Sequence, residues 1–447
     1  MILNKNTQNN SSQNNKNMAK IIIKNIGPIK EAHFDLNKLN VFMGPQSSGK
    51  STIAKIISYC TWVEKDVATS QSLETYQKNK TYFKDHIESF HKIKGYFRQE
   101  SYLLYKSDVV EIKWENQQSE IKWVDKYAYK RSKISYIPSE RNMIILPEVK
   151  KVEFGNINIR SFLFDWFDAR KNYPKQNKLS VLNLDVDYYY VEGGVFEEDH
   201  IRGFDSYKNE YDILLSNASS GLQSITPLLA MVDFLTSKIF ESQDDMSFEQ
   251  KKKIELVAFG LGLDLLYYPY FKYKNLPSVK QFEEDVKHFS LKLAQNDKVA
   301  LELSEKYDRI RNNIQKTQNT KLIIEEPEQN LFPATQRDLI YHLLTKCLKR
   351  EDNSLTITTH SPYVLYALNN CMMGGLVYEK MSEEDKNKLE CINSIINPNL
   401  VSVYEIHNGI LKTIQQDDKL IGANYFDKKM KELMDDFYVM INYYGND

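Results

Sequence analysis

From Lys20 the chain runs apolar and β-rich through IIIKNIGPI, broken at Gly27 and Pro28. LNVFM (Leu39–Met43) predicts a second strand, which runs straight into GPQSSGKST. TIAKIISYC behind it has helical spacing, so the first unit is strand, glycine loop, helix. Residues 64–110 are polar, rich in Lys and Tyr, and mostly helical in pattern. VVEIKW and SEIKWV alternate and predict a β-hairpin. SYIPSER (135–141) predicts a strand ending in polar residues, 160–171 a helix, and LNLDVDYYYVEGG a strand with a turn. Residues 223–319 have helical spacing, with a break near Tyr267–Pro277. KLIIEEPE and LTITTHSP read as buried strands, separated by a helix over 334–350. VYEIHNGILKTI predicts a hairpin turned at Asn408–Gly409, and 424–444 a terminal amphipathic helix. There is no internal repeat and no long heptad array.

Residues 1–17, MILNKNTQNNSSQNNKN, cannot bury a core and are expected to be disordered. Met18 stands directly before the first structured run and is the expected alternative start. Residues 18–447 then read as one domain, interrupted by insertions at about 62–132 and 236–318. Apolar residues make up 42% of the 447, enough for a sizeable core. The formal net charge of −1 argues against a surface that traps nucleic acid throughout, although a local basic groove stays open. Cys60, Cys347, Cys371 and Cys391 form no C-x-x-C pair and are expected as reduced thiols of a cytoplasmic protein. No run of about 18 apolar residues is present and the N-terminus lacks a signal-peptide core, so no membrane partner is expected.

Gly44, Pro45, Gln46, Ser47, Ser48, Gly49, Lys50, Ser51 and Thr52 fit G-x-x-x-x-G-K-[ST] in full. Gly49 lets the backbone curl so that N–H groups face phosphate oxygens. Lys50 supplies a cation to the β- and γ-phosphates of ATP, and Ser51 a hydroxyl to Mg²⁺. The helix that starts here adds its positive end. In KLIIEEPE an apolar strand delivers Glu325 and Glu326 to one tip, on opposite faces because strand side chains alternate. Glu325 is assigned to the magnesium shell, through water, and Glu326 to orienting the attacking water.

EEPEQNLFP resembles the Walker B and D-loop segment of ABC-type ATPases, especially the SMC, RecF and OLD branch. That family more often has Asp at the position of Glu325. On this resemblance Gln329, Asn330, Leu331 and Phe332 form a D-loop that crosses between protomers. His360, at the end of the next buried strand, takes the place of the family's H-loop residue, which touches the γ-phosphate. SNASSGLQS (216–224) resembles the ABC signature in its SSG-x-Q form, at the start of the helix ITPLLAMVDFL. Ser219 or Ser220, with Gly221 and Gln223, would then cap the γ-phosphate held by another copy. Where the family carries its Q-loop glutamine this chain has Glu140 and Arg141.

The implied fold is α/β, a P-loop NTPase of ABC type with a mixed β-sheet core and largely helical insertions. The implied cofactors are ATP and Mg²⁺, and the implied partner is a second copy, in a homodimer or higher even oligomer. SSGLQ, EEPEQNLFP and THSPYV together look like stand-alone ATPases of bacterial anti-phage systems such as PARIS and Septu, which act with a separate nuclease. The stretch after His360 is too short for the Toprim nuclease of OLD proteins and lacks its acidic pattern, so any effector is expected on another polypeptide. The resemblance implies a slow ATPase switch. The alternatives are a DNA-stimulated repair ATPase of the RecF or SMC kind, and a nucleotide-dependent scaffold with negligible turnover.

Overall fold

The computed structural model describes residues 19–146, 149, 155, 157–193, 197–241 and 248–444; the Asn/Gln-rich segment 1–17 and Met18 lie outside the described residues. Strands β1 (Ala19–Ile26) and β2 (Ile29–Leu36) form a hairpin, and β3 (Leu39–Met43) leads into helix α1 (Lys50–Ser70). Short α2 (Glu74–Lys78) and α3 (Tyr82–Phe90) precede β4 (Phe97–Ser107), β5 (Val110–Glu115), β6 (Gln118–Trp123) and β7 (Ser132–Ile137). Helix α4 (Asn158–Arg170) is followed by β8 (Leu179–Ser180), β9 (Val186–Val191), β10 (Glu198–Phe204), β11 (Glu210–Leu214) and α5 (Ser220–Thr236). A helical arm comprises α6 (Phe248–Gly262), α7 (Tyr268–Phe271), α8 (Val279–Ala294) and α9 (Lys298–Gln315). The chain closes with β12 (Asn319–Glu325), α10 (Pro333–Cys347), β13 (Ser354–Thr359), α11 (Pro362–Val377), α12 (Glu383–Lys386), β14 (Val401–His407), β15 (Ile410–Thr413) and α13 (Tyr425–Ile441).

One sheet of eleven strands, ordered β6-β5-β4-β1-β2-β15-β14-β3-β13-β12-β7, organises the molecule. The run β14-β3-β13-β12-β7 is parallel throughout. The far flank, β2 to β6, is antiparallel. Parallel strands covered on both faces need apolar side chains in both directions, which is why LNVFM and LII carry no alternation. Leu39, Val41 and Met43 join the core formed with α4, α5, α10 and α11, whereas Phe42 joins the core on the side of α1. Leu322 and Ile324 divide from Ile323 in the same way. Helix α1 is buried on almost every side between the sheet and the antiparallel flank.

The fold class is the expected mixed α/β one, and the strand at Leu39–Met43, the hairpins at 110–123 and 401–413 and the helix pattern of 223–319 are all present. Three corrections follow. Residues 97–107 are a strand, not part of a helical stretch: Phe97, Ser101, Leu103 and Tyr105 turn inward at alternate positions against β1. A second sheet, β11-β10-β9-β8, surrounds the single strand expected near 186–191; β10 and β11 are short and mostly polar, with Ile201 alone fully buried among their apolar side chains, and give no apolar signal. The region 62–132 therefore combines helices with strands that extend the main sheet, while 236–318 is helical among the described residues. Lys252–Phe271 in the arm is long and apolar enough to cross a membrane by length and composition. Its Leu261 and Leu265 are buried with Ile310 and Ile314 of α9.

Phe42 anchors the junction of the two sheet halves, its ring 5.3 Å from Phe34 edge-on and 5.4 Å from Tyr404 in a stack. Phe42→Ala is expected to cost about 3–5 kcal/mol, read as a lower urea midpoint at unchanged slope.

Candidate active site

The register pairs Met43 with Thr359 and Glu325 with Thr358, so β3, β13 and β12 end together at one sheet edge. Open α/β sheets bind ligands at that carboxyl edge. The loop after β3 turns at Gly44, φ +150°, and enters α1 through Gly49, φ +111°. A Cβ on Gly44 would lie 2.3 Å from the Ile406 carbonyl oxygen, and one on Gly49 would lie 2.9 Å from Ile29 Cγ1. Both positions therefore exclude a side chain by space as well as by conformation. The N–H groups of the first turn of α1 have no partner within the helix and mark an anion-binding terminus.

Lys50 is buried beneath this loop, its ammonium donating to the carbonyls of Gly44 at 2.9 Å and Pro45 at 2.8 Å. Burial lowers its pKa to about 8, against the raising effect of Glu326, Glu328 and Glu325. Among the described residues, Ser48 Oγ and Glu325 Oε1 are buried polar atoms without a hydrogen-bond partner. Buried polar atoms are rarely left so unless a ligand, ion or water completes them.

Glu325 closes β12, buried beside the Tyr136 hydroxyl, which burial and this carboxylate push well above its usual range. Glu326 has φ +44°, yet its N–H still donates to the Thr358 carbonyl at 2.9 Å. Its half-exposed side chain thus lies in the cleft, where Oε1 accepts from His360 Nε2 at 3.1 Å. That bond, more than any other interaction, holds the carboxyl below its ordinary value, and the charges of His360 and Lys50 add to it. Two further side chains fix this turn. The fully buried Arg141 guanidinium donates to the carbonyls of Glu325 at 2.9 Å, Glu326 at 2.7 Å and Pro327 at 3.2 Å. The buried Glu328 carboxylate accepts from Thr359 Oγ1 at 2.8 Å and from the His360 N–H at 2.6 Å, tying the two strand ends together.

The cleft, with a volume of about 780 Å³, is lined by Gln46, Ser47, Ser48, Gly49, Lys50, Ser51, Thr52, Glu326 and His360. Lys94, Tyr96 and Arg98 line its other wall. Sequence reasoning missed these three because they sit in an insertion with no motif; the dense basic and aromatic run KGYFR was the available signal. Tyr96 is locked to the β1–β2 turn, its carbonyl accepting from the Gly27 N–H at 3.0 Å and its ring occupying the space where a Gly27 Cβ would stand.

Residues 219–223 are not among those lining the cleft. Ser219 caps α5, its hydroxyl accepting from the Leu222 N–H at 3.4 Å, and Ser220 is exposed. The Gln223 amide donates to the carbonyls of Ser216 and Ala218, so it braces its own loop. Gly221 packs against the Asn330 carbonyl, where a Cβ would be 3.0 Å away, joining this loop to the segment after the acidic turn. Arg141, weighed with Glu140 for the glutamine of the Q-loop, faces the acidic turn rather than the cleft.

The phosphate loop after β3, the acidic and histidine strands beside it, and an antiparallel flank give the chain an ABC-type P-loop fold. No family model and no curated protein matches the chain. Among solved structures it is similar to the SMC head domain from Thermotoga maritima, at 10% identity over 89% of this chain and 98% of that one, TM-score 0.33. It is also similar to the recombination mediator RecF of the RecFOR pathway, at 11% identity over 90% and 99%, TM-score 0.29. An ATP-binding cassette of an ABC transporter in its ADP conformation matches at 11% identity over 96% and 100%, TM-score 0.26.

Arg141→Met removes three charge-assisted bonds to buried carbonyls and a cation near three carboxylates. A loss of about 3–5 kcal/mol is expected in urea unfolding. Arg141→Lys should recover only part of it, because an ammonium lacks the planar fork.

Proposed function

We propose that this chain binds ATP at the Gly44–Thr52 loop and hydrolyses it slowly, as a switch that closes on a second copy. The observation that carries the reading is the meeting of Lys50, Glu326 and His360 in one cleft at the end of three parallel strands. Loop N–H groups and the start of α1 would receive the β- and γ-phosphates, with Lys50 releasing the Gly44 and Pro45 carbonyls to pair with them. Glu326, ionised and turned into the cleft, would accept the proton of the attacking water. His360 would hold that carboxylate through Nε2 and sense the γ-phosphate beside it.

Ser51 in the cleft and the unpartnered Glu325 Oε1 below it suit a magnesium ion, Glu325 through water. Bound there, magnesium would neutralise charge on the phosphates and stabilise the leaving group.

The exposed Ser219 and Ser220 at the tip of α5 lie outside the cleft of their own chain, with Gly221 packed behind them. These serines and the helix terminus suit the γ-phosphate held by a second copy. Closure would then require the triphosphate, and hydrolysis would reopen the pair. The resemblance to defence ATPases adds an effector on a separate chain, a nuclease. The arm, with Leu256, Phe259, Leu291 and Val299 exposed, is its proposed seat. The net charge of −1 disfavours the DNA-repair reading, which demands turnover that rises with DNA and falls with salt.

Lys50→Ala is expected to abolish ATP binding. Glu326→Gln should bind ATP but turn over about 10²–10⁴-fold more slowly. Parental turnover in Glu326→Gln would remove the general-base assignment. For closure in trans, Lys50→Ala and Ser220→Arg chains, each inactive alone, are expected to regain activity on mixing, since one composite site stays intact. Failure of any mixture to do so would place the signature elsewhere.

The amine of Lys50 is about half protonated near pH 8 in the free protein. A bound triphosphate raises its pKa, so binding takes up protons between the free and bound values. Calorimetry in buffers of different ionisation enthalpy is expected to show uptake near pH 8 that vanishes at pH 6, where the amine is already charged.

A further inference from the structure

The helical arm holds a cavity of about 370 Å³ between α6, α8 and α9. A π-helical turn, Leu263–Tyr267, joins α6 to α7 and forms part of the wall through Leu263, Leu266 and Tyr267. Such turns are rare and frequently mark functional sites. Aromatic rings make up much of the remaining wall. The Phe282 ring lies 4.8 Å from Tyr267 and 6.3 Å from Phe259, and Phe271 lies 5.1 Å from Tyr267. Phe259 is 55% and Val286 44% exposed, so the wall keeps apolar surface that a ligand would cover. Small-molecule sites are mostly apolar cavities of this kind, with a few polar groups that fix orientation.

The polar groups of the wall are of two kinds. Three hydroxyls are already committed: Tyr267 donates to Asp285 at 2.6 Å, Ser290 to the Val286 carbonyl at 2.9 Å and Tyr307 to the Ala258 carbonyl at 3.3 Å. Glu255 and Arg311 remain. Among the described residues neither forms an ion pair. Arg311 donates from Nε to the Gln315 amide oxygen at 3.2 Å, which leaves both terminal NH2 groups of its guanidinium open. That guanidinium stands 6.0 Å from the centre of the Tyr307 ring, itself part of the wall. Tyr307 reaches the Ala258 carbonyl and the Gln315 amide the Ile254 carbonyl, so α9 runs antiparallel to α6 and Arg311, midway between the two contacts, comes level with Glu255. The site is an apolar bowl with one anion and one cation side by side on its exposed rim.

That combination selects by exclusion. A sugar or a nucleotide brings many donors and acceptors, and the hydroxyls of the wall are not free to meet them. A fatty acid or an anionic lipid would set its charge against Glu255, and a simple amine would set its charge against Arg311. A molecule with an ammonium and a carboxylate on one carbon and an apolar side chain answers both charges and the bowl. We propose that this cavity binds a free α-amino acid with an aromatic side chain, its carboxylate on Arg311 and its ammonium on Glu255. The planar guanidinium takes the carboxylate through two parallel hydrogen bonds. The ligand's ring lies among Phe259, Phe271 and Phe282, offset or edge-on to them.

The test is isothermal titration calorimetry of the full chain, without nucleotide, against L-phenylalanine and L-tryptophan. At least one should bind saturably, at one site per chain. Its analogue without the ammonium (3-phenylpropanoate or indole-3-propanoate) and its analogue without the carboxylate (phenethylamine or tryptamine) should each bind about tenfold or more weakly. Arg311→Met should weaken the amino acid about tenfold and leave the amine analogue no weaker, and Glu255→Gln should weaken the amino acid and leave the acid analogue no weaker. Both side chains are exposed, so both variants should fold, which circular dichroism checks. Absence of saturable binding by either amino acid would overturn the proposal, as would an affinity that neither variant changes. An acid analogue that binds as tightly as its amino acid would replace the proposed ligand with an amphiphilic acid.

Discussion

The common level at which β3, β13 and β12 end is the constraint from which the site follows. Met43 opposite Thr359 and Thr358 opposite Glu325 bring a glycine loop, a histidine and two carboxylates to one sheet edge, where the turn held by Arg141 aims Glu326. A slip of one residue in either pairing would turn the strand's side chains to the opposite face. Each face is packed into its own core, so a slip would have to repack both. The two hydrophobic cores are therefore also the devices that aim the chemistry.

Charge is the second theme. A buried ammonium, a buried guanidinium and three glutamates share one small volume, and most of them are answered by specific partners. Lys50 meets two loop carbonyls, Arg141 three carbonyls of the acidic turn, and Glu328 a hydroxyl and an N–H. Buried charges without such partners would cost several kcal/mol each. Unpartnered buried polar atoms gather on the same elements: Ser48 Oγ in the loop, and Glu325 Oε1, Glu328 Oε2, Arg141 Nε, Tyr136 Oη and Thr358 Oγ1 around the acidic turn.

Much of this was legible in the chain. G-x-x-x-x-G-K-S-T could be read because a curled phosphate loop admits few residue types, and the apolar runs before Glu325 and His360 because strands covered on both faces must be apolar. The role of Arg141 was not legible: its partners are 184 to 186 residues away, and a lone arginine after a strand carries no periodic signal. The positive φ of Glu326 was equally hidden, since nothing in EEPE marks where the strand gives way. Tyr96 and its basic neighbours joined the site only because β4 pairs with β1, in a segment whose many lysines and tyrosines read as helix.

The most direct measurement is a structure of the Glu326→Gln chain determined with ATP and magnesium. The γ-phosphate is expected between the Lys50 ammonium and His360, the metal beside Ser51, and the Ser219–Gly221 helix tip of another copy over the top. Nucleotide bound away from the Gly44–Thr52 loop, or a γ-phosphate that Lys50 and His360 do not both approach, would contradict the account.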